Sequence, residues 1–269
     1  MLAKLLKYEL RATARVLLPL YAVLVLIALG NRLLAELPLW DRGFHIPGVI
    51  AGLVLFAMIV AVLVITLVIL IQRFYQTMTG EAGYLMLTLP VPVSMHILSK
   101  LLTAMLWILA TGAALIASVC LLSATGAGLV ALPGQMLDFM KALLWEVDGR
   151  VSWLIVLICL LLLVSVATSV LQIYMSIALG NLFDKNRALA SFGMYLAVSM
   201  AFQVLFYIGV VIVAVADPTL EWFSMLVRGV DALGTGMIIV GAMLTAEAVI
   251  GAVFFLVTNY ILERRLNLQ

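Results

Sequence analysis

The sequence predicts an all-α polytopic membrane protein: six transmembrane helices forming a single domain over residues 1–269, an N-terminal amphipathic helix and short extracellular or re-entrant helices. Two observations predict it. Of 269 residues, 66% are hydrophobic and 10% charged, where a soluble domain runs near half and about a quarter. With 15 Lys+Arg and 13 Asp+Glu, the chain cannot clothe a globule of this length in polar surface. The second observation is that its apolar residues fall in six continuous runs. Each can cross a hydrocarbon core about 30 Å thick as a helix. Continuous runs select helices over the alternating strands of a barrel.

The expected spans are Val16 to Leu37, Pro47 to Ile71, Ile97 to Ser123, Val151 to Leu179, Ala190 to Ala216 and Gly236 to Leu262. Ahead of the first, Lys4, Lys7, Arg11 and Arg15 recur at spacings of 3, 4 and 4, with Leu2, Leu5, Leu6 and Leu10 toward another face. This predicts an interfacial helix whose basic side reaches anionic headgroups, before Pro19 and the first span turn the chain across the membrane; a plain topological flank is the alternative. The apolar run continues past Asn31 and Arg32 into Leu33 and Leu34. That suits a retained helix better than a cleaved signal peptide.

Ten of the fifteen basic residues lie at the termini and in the even-numbered connections: Lys4, Lys7, Arg11, Arg15, Arg73, Lys100, Lys185, Arg187, Arg264 and Arg265. By the positive-inside rule, both termini are expected in the cytoplasm. The third connection, from Ala124 to Arg150, combines Gly126, Gly128, Pro133 and Gly134 with apolar residues at helical spacing from Met136 to Val147, which predicts a short outer helix. The fifth opens with Asp217-Pro218, a cap followed by proline at the first helical position, and carries Trp222. Residues 217–235 are too few to span, so this segment lies at the outer interface or dips back as a gate-like element.

The second connection is the most informative. Between Gln72 and Lys100, about thirty residues expected in the cytoplasm are neither charged enough nor Gly/Ser-rich enough for a plain linker. Its first part can form a helix continuing from the second span, Gly80 and Gly83 admit another backbone, Tyr84, Leu85, Met86, Leu87 and Leu89 are apolar residues expected to face the cytosol, and Pro90 and Pro92 end the element. An apolar projection there predicts a docking surface for another protein; packing beneath its own helices is the alternative.

The segment Glu81-Ala82-Gly83-Tyr84-Leu85-Met86-Leu87-Thr88-Leu89-Pro90-Val91 resembles the E-x-G-x-L-x-x-L-x-x-P-V pattern of ATP-binding-cassette permease subunits of the type-2 exporter family. The start, Leu2 to Pro19, is similar to that of small six-span members from Gram-positive bacteria. The resemblance implies several things. Leu2 to Arg15 would be an elbow helix, and the stretch from Arg73 through Tyr75 to Tyr84 would include the coupling helix that sits on an ATPase subunit. Tyr84 stands where many members carry threonine. ATP and Mg would be held by that partner, none by this chain. Two ATPase subunits and a second permease copy or a sister permease would complete the assembly. The location implied is the bacterial cell membrane, and the cargo an amphipathic, lipid-like, drug or peptide molecule moved outward.

Other chemistry is poorly supported. No lysine has the neighbours of a P-loop, and there is no G-x-S-x-G. His45 and His96 alone cannot build an intramembrane metal site, and Cys120 and Cys159 lie in apolar runs without a second ligand. A net charge of +2 does not point to nucleic acid. An enzyme is therefore not expected. Inside the spans, Glu247 stands beside Thr245 among Gly241, Ala242, Ala246, Ala248 and Gly251. A carboxyl there is either hydrogen-bonded at a helix interface or part of a substrate path or proton-linked gate. Gln172, Tyr174, Ser176 and Gln203 are further path candidates, each also readable as a helix-to-helix bond. Two other functions stay open: a proton-coupled secondary transporter using Glu247, and a non-transporting immunity or sensor subunit.

Overall fold

A computed structural model describes residues 2–36, 46–78, 92–123, 134, 137–138, 141–142, 148–183, 186–216 and 228–264. Six long helices account for nearly all of them: α1 (Leu2–Glu36), α2 (Ile46–Met78), α3 (Val93–Ser123), α4 (Gly149–Gly180), α5 (Arg187–Ala216) and α6 (Ala232–Arg264). All six are long and apolar enough to cross a membrane, and among the described residues there is no β-strand. At 1.5 Å per residue, helices of 30 to 35 residues run about 45–52 Å. They exceed a hydrocarbon core of about 30 Å, so their ends reach the headgroup region or the helices tilt.

The first helix departs from expectation. A separate N-terminal elbow is not seen, because Leu2–Glu36 is one helix with Pro19 inside it. Glu9, Thr13, Leu17, Tyr21, Leu24 and Ala28 form a single buried stripe at spacings of three and four, running straight through the expected turn. Pro19 lies on the exposed side. Its ring removes one backbone donor without interrupting the stripe, which membrane helices tolerate. The second helix continues past the expected span end at Ile71 into the first part of the connection, where the sequence allowed a helical continuation, and Thr66, Leu70, Phe74 and Met78 carry its buried stripe every four residues. Arg73, read from sequence as a residue of the connection, therefore stands within α2, and Lys100 lies inside α3.

The helices fall into two compact units, one built on α1, α2 as far as Phe74 and α3 from Ser94, the other on α4, α5 and α6. In the first, α1 and α3 run parallel: Glu9 meets Lys100, Thr13 meets Trp107, Tyr21 meets Thr111 and Arg32 meets the Leu121 carbonyl. The reverse direction of α2 follows from Arg73 beside Glu9 and Thr66 beside Thr111.

In the second unit, α4 and α6 are parallel, matched from Arg150 and Asp231 to Thr168 and Glu247. Asp148 caps α4, its side chain accepting from the Arg150 N–H, and Asn181 closes the other end through its backbone and side-chain N–H groups on the Ile177 carbonyl. The chain then reverses within a few residues, with Asn186 at φ 53. A Cβ on Gly180 would overlap the Ser191 backbone, so α4 and α5 cross there only because position 180 has no side chain. Phe202 of α5 packs edge-on against Phe254 of α6 at 5.2 Å. Beyond that contact, α5 offers an apolar surface on every side: all residues from 201 to 213 are exposed. Only lipid or another apolar helix suits such a surface.

Candidate functional site

Among the described residues, the tightest buried cluster of charge lies in the first unit, at the end where α1 begins. Lys100 donates to Glu9 Oε1 at 2.6 Å, and Arg73 Nε stands 3.2 Å from Glu9 Oε2. One carboxylate thus ties α1 to both α2 and α3. The Lys100 and Glu9 side chains are 5% and 9% exposed, that of Arg73 30%. In so dry a setting a broken pair leaves an uncompensated charge, which costs far more than a surface pair contributes. His96, one turn before Lys100 on α3, is buried as well, and its Nε2 has no hydrogen-bond partner.

From this cluster a ladder of buried hydroxyls continues through the unit. Thr13 donates to the Glu9 carbonyl and accepts from Trp107 Nε1 at 2.6 Å. Tyr21 and Thr111 share a hydrogen bond of 2.7 Å, with Thr66 of α2 3.3 Å from the same Thr111 oxygen. Thr66, Ser99, Thr103, Thr111 and Ser118 also bond back to carbonyls of their own helices. This interior sets many polar side chains among its apolar ones, while Leu53, Phe56 and Leu63 of α2 face outward. That is the inverse of a water-soluble bundle and fits a lipid surround, where hydrogen bonds and close packing associate helices.

The second unit holds most of the polar residues expected inside the spans. Glu247 is half-buried on α6, and its backbone carbonyl accepts from Thr168 of α4. Gly251, one turn on, allows this approach: a Cβ there would lie 2.9 Å from Thr168 Oγ1. Gln172 donates to Ser199 of α5 at 2.8 Å, and Ser176 bonds back to the Gln172 carbonyl. Tyr174 is buried, whereas Thr245 and Gln203 are exposed, Thr245 bonding to the Ala242 carbonyl. An open groove of about 370 Å³ runs between α4 and α6, lined by Ala167, Thr168, Leu171, Ala248, Gly251 and Phe255. The structure thus joins Gln172 to α5 and seats Glu247 beside Thr168, but gives Gln203 and Thr245 no link to the other path candidates. At the outset of α4 and α6, Arg150 and Asp231 form an exposed pair at 3.1 Å.

Of the residues expected to couple to a partner, Arg73 is in the charge cluster and Tyr75 is half-buried near the end of α2. Gly80, Glu81, Gly83, Tyr84, Leu85 and Pro90 lie outside the described residues, as does Trp222. Lys4, Lys7, Arg11 and Arg15 are all exposed on α1. Sequence reasoning missed Glu9 and the buried roles of Lys100 and His96. A signal existed: Glu9 is the one acid among four basic residues in the first fifteen, and an unmatched acid on a basic helix asks for a cation on another element. Comparison with known protein families, with curated proteins and with solved structures finds no match.

Proposed function

We propose that the chain is the membrane-spanning permease subunit of an ATP-binding-cassette exporter in the bacterial cell membrane, with both termini in the cytoplasm. It moves an amphipathic, lipid-like, drug or peptide molecule outward while ATP and Mg stay on partner ATPase subunits, and it works with a second copy or a sister permease. The observation that carries this reading is the Glu81 to Val91 pattern between α2 and α3. Two features support it. The helices that frame the pattern are joined to each other and to α1 through Glu9, so a push on the connection is received by three helices rather than one. The apolar groove between α4 and α6 suits a cargo with an apolar portion.

The test is purification from native membranes followed by assay of the assembled complex. The proposal expects an ATPase subunit to accompany the chain, and Glu81→Ala and Gly83→Trp to change its ATPase activity. Recovery without any ATPase, or activity indifferent to both substitutions, would contradict it.

A second reading, proton-coupled transport, draws on the half-buried Glu247, for which the described residues supply no ion pair. It expects liposome transport driven by a pH gradient without nucleotide and lost in Glu247→Gln. Transport that needs nucleotide and survives that substitution excludes it.

A further inference from the structure

Glu247 lies close to the midpoint of α6, fifteen residues from its start and seventeen from its end, about 22–26 Å along the axis from either. It belongs to the packing side of that helix. At spacings of four, three and four, Glu247 leads into Gly251, Phe254 and Thr258, all of them buried. The side chain itself is half-buried, and among the described residues its carboxyl makes no hydrogen bond or ion pair; only its backbone carbonyl is engaged from another helix, by Thr168. A carboxyl at mid-membrane without a partner is costly, and groups of this kind mark the paths of ligands.

The open groove between α4 and α6, about 370 Å³, lies at the same level. Thr168 lines it from α4, and Ala248 and Gly251, the next residue after Glu247 and the next turn, line it from α6. Thr168 is the one polar residue of this lining, and its hydroxyl already donates to the Glu247 carbonyl. A single free carboxyl beside an apolar trough selects the ligand. A hard metal ion takes about six to eight oxygens, which alanine, leucine and phenylalanine cannot supply. A peptide backbone would leave its N–H and C=O groups unpaired there. An organic cation meets both features at once: its charge complements Glu247, and its apolar body lies against Leu171, Ala252 and Phe255.

We propose that Glu247 and the α4–α6 groove form a binding site for an amphipathic organic cation, one positive charge on an apolar body. That this ligand is the cargo rests on the export reading; that it binds does not.

The test uses the full chain in phosphatidylcholine nanodiscs, without nucleotide or partner, and measures equilibrium binding of tetraphenylphosphonium and tetraphenylborate, ions of one shape and opposite charge, each corrected for empty discs. Wild type is expected to bind the phosphonium. Glu247→Gln should weaken that binding about tenfold, the loss of one charge pair, and leave the borate no weaker; Glu247→Asp, which keeps the charge, should retain the phosphonium. Ala252→Trp, a change at an exposed lining residue that fills the groove, should weaken the phosphonium with Glu247 intact. No phosphonium binding by wild type, equal binding by wild type and Glu247→Gln, or borate weakened as much as phosphonium by Glu247→Gln would overturn the proposal. So would phosphonium binding untouched by Ala252→Trp, because the groove would then not be the site. Purification without an ATPase subunit defeats the export reading and leaves this site standing; binding blind to charge defeats the site and leaves the export reading standing.

Discussion

Glu9 is the residue on which the first unit turns, because one side chain satisfies cations from two other helices. Removing one member of a buried pair strands the other. Glu9→Gln, which leaves the buried Lys100 without its carboxylate, is expected to destabilise the unit by about 3–5 kcal/mol. The double variant Glu9→Gln/Lys100→Met strands no ammonium and should be more stable than Glu9→Gln alone, measured by denaturant unfolding in micelles followed by tryptophan fluorescence. A double variant as unstable as the sum of both singles would show that the pair is not coupled. A milder effect belongs to Trp107→Phe, which removes the donor to Thr13 and should cost about 1 kcal/mol. The pairing itself was not legible in the sequence. Composition shows an acid among basic residues near position 9, but which cation it meets depends on how α1, α2 and α3 align.

At the scale of the helix, close approach in the second unit depends on two glycines that fail differently. At Gly251 the obstacle to a Cβ is the Thr168 hydroxyl, the end of a side chain. Gly251→Ala should therefore loosen α4 against α6, and adding Thr168→Ala should restore much of the loss. At Gly180 the obstacle is the Ser191 backbone. Gly180→Ala should disrupt the α4–α5 crossing and resist rescue by Ser191→Gly. Cross-linking of cysteine pairs across each crossing reads both results; rescue at 180, or none at 251, would contradict the packing described. The existence of all six helices was legible, since long apolar runs leave the backbone no other way to satisfy itself in lipid. Their ends were not. Pro19 looked like a turn because it marks a change in composition, yet the buried stripe of α1 runs past it, whereas the helical continuation of α2 beyond Ile71 was legible and only its extent to Met78 was not. Burial every fourth residue proved the better guide than hydropathy.

Among the described residues, buried hydroxyls and the Glu9 ion pairs lie within the first unit, and apolar side chains such as Leu53, Phe56 and Phe206 face outward. This pattern follows from the composition with which the sequence begins, and it makes the protein a multi-pass membrane chain. The proposed function places the drive at the connection between α2 and α3, the two helices that Glu9 holds together. If that connection takes its push from a nucleotide-hydrolysing partner, a photo-cross-linker at Tyr84 in native membranes should join the chain to an ATPase subunit from the cytosolic side. Adducts to lipid or to the chain's own helices alone, or labelling of position 84 from the outer face of intact cells, would contradict the account.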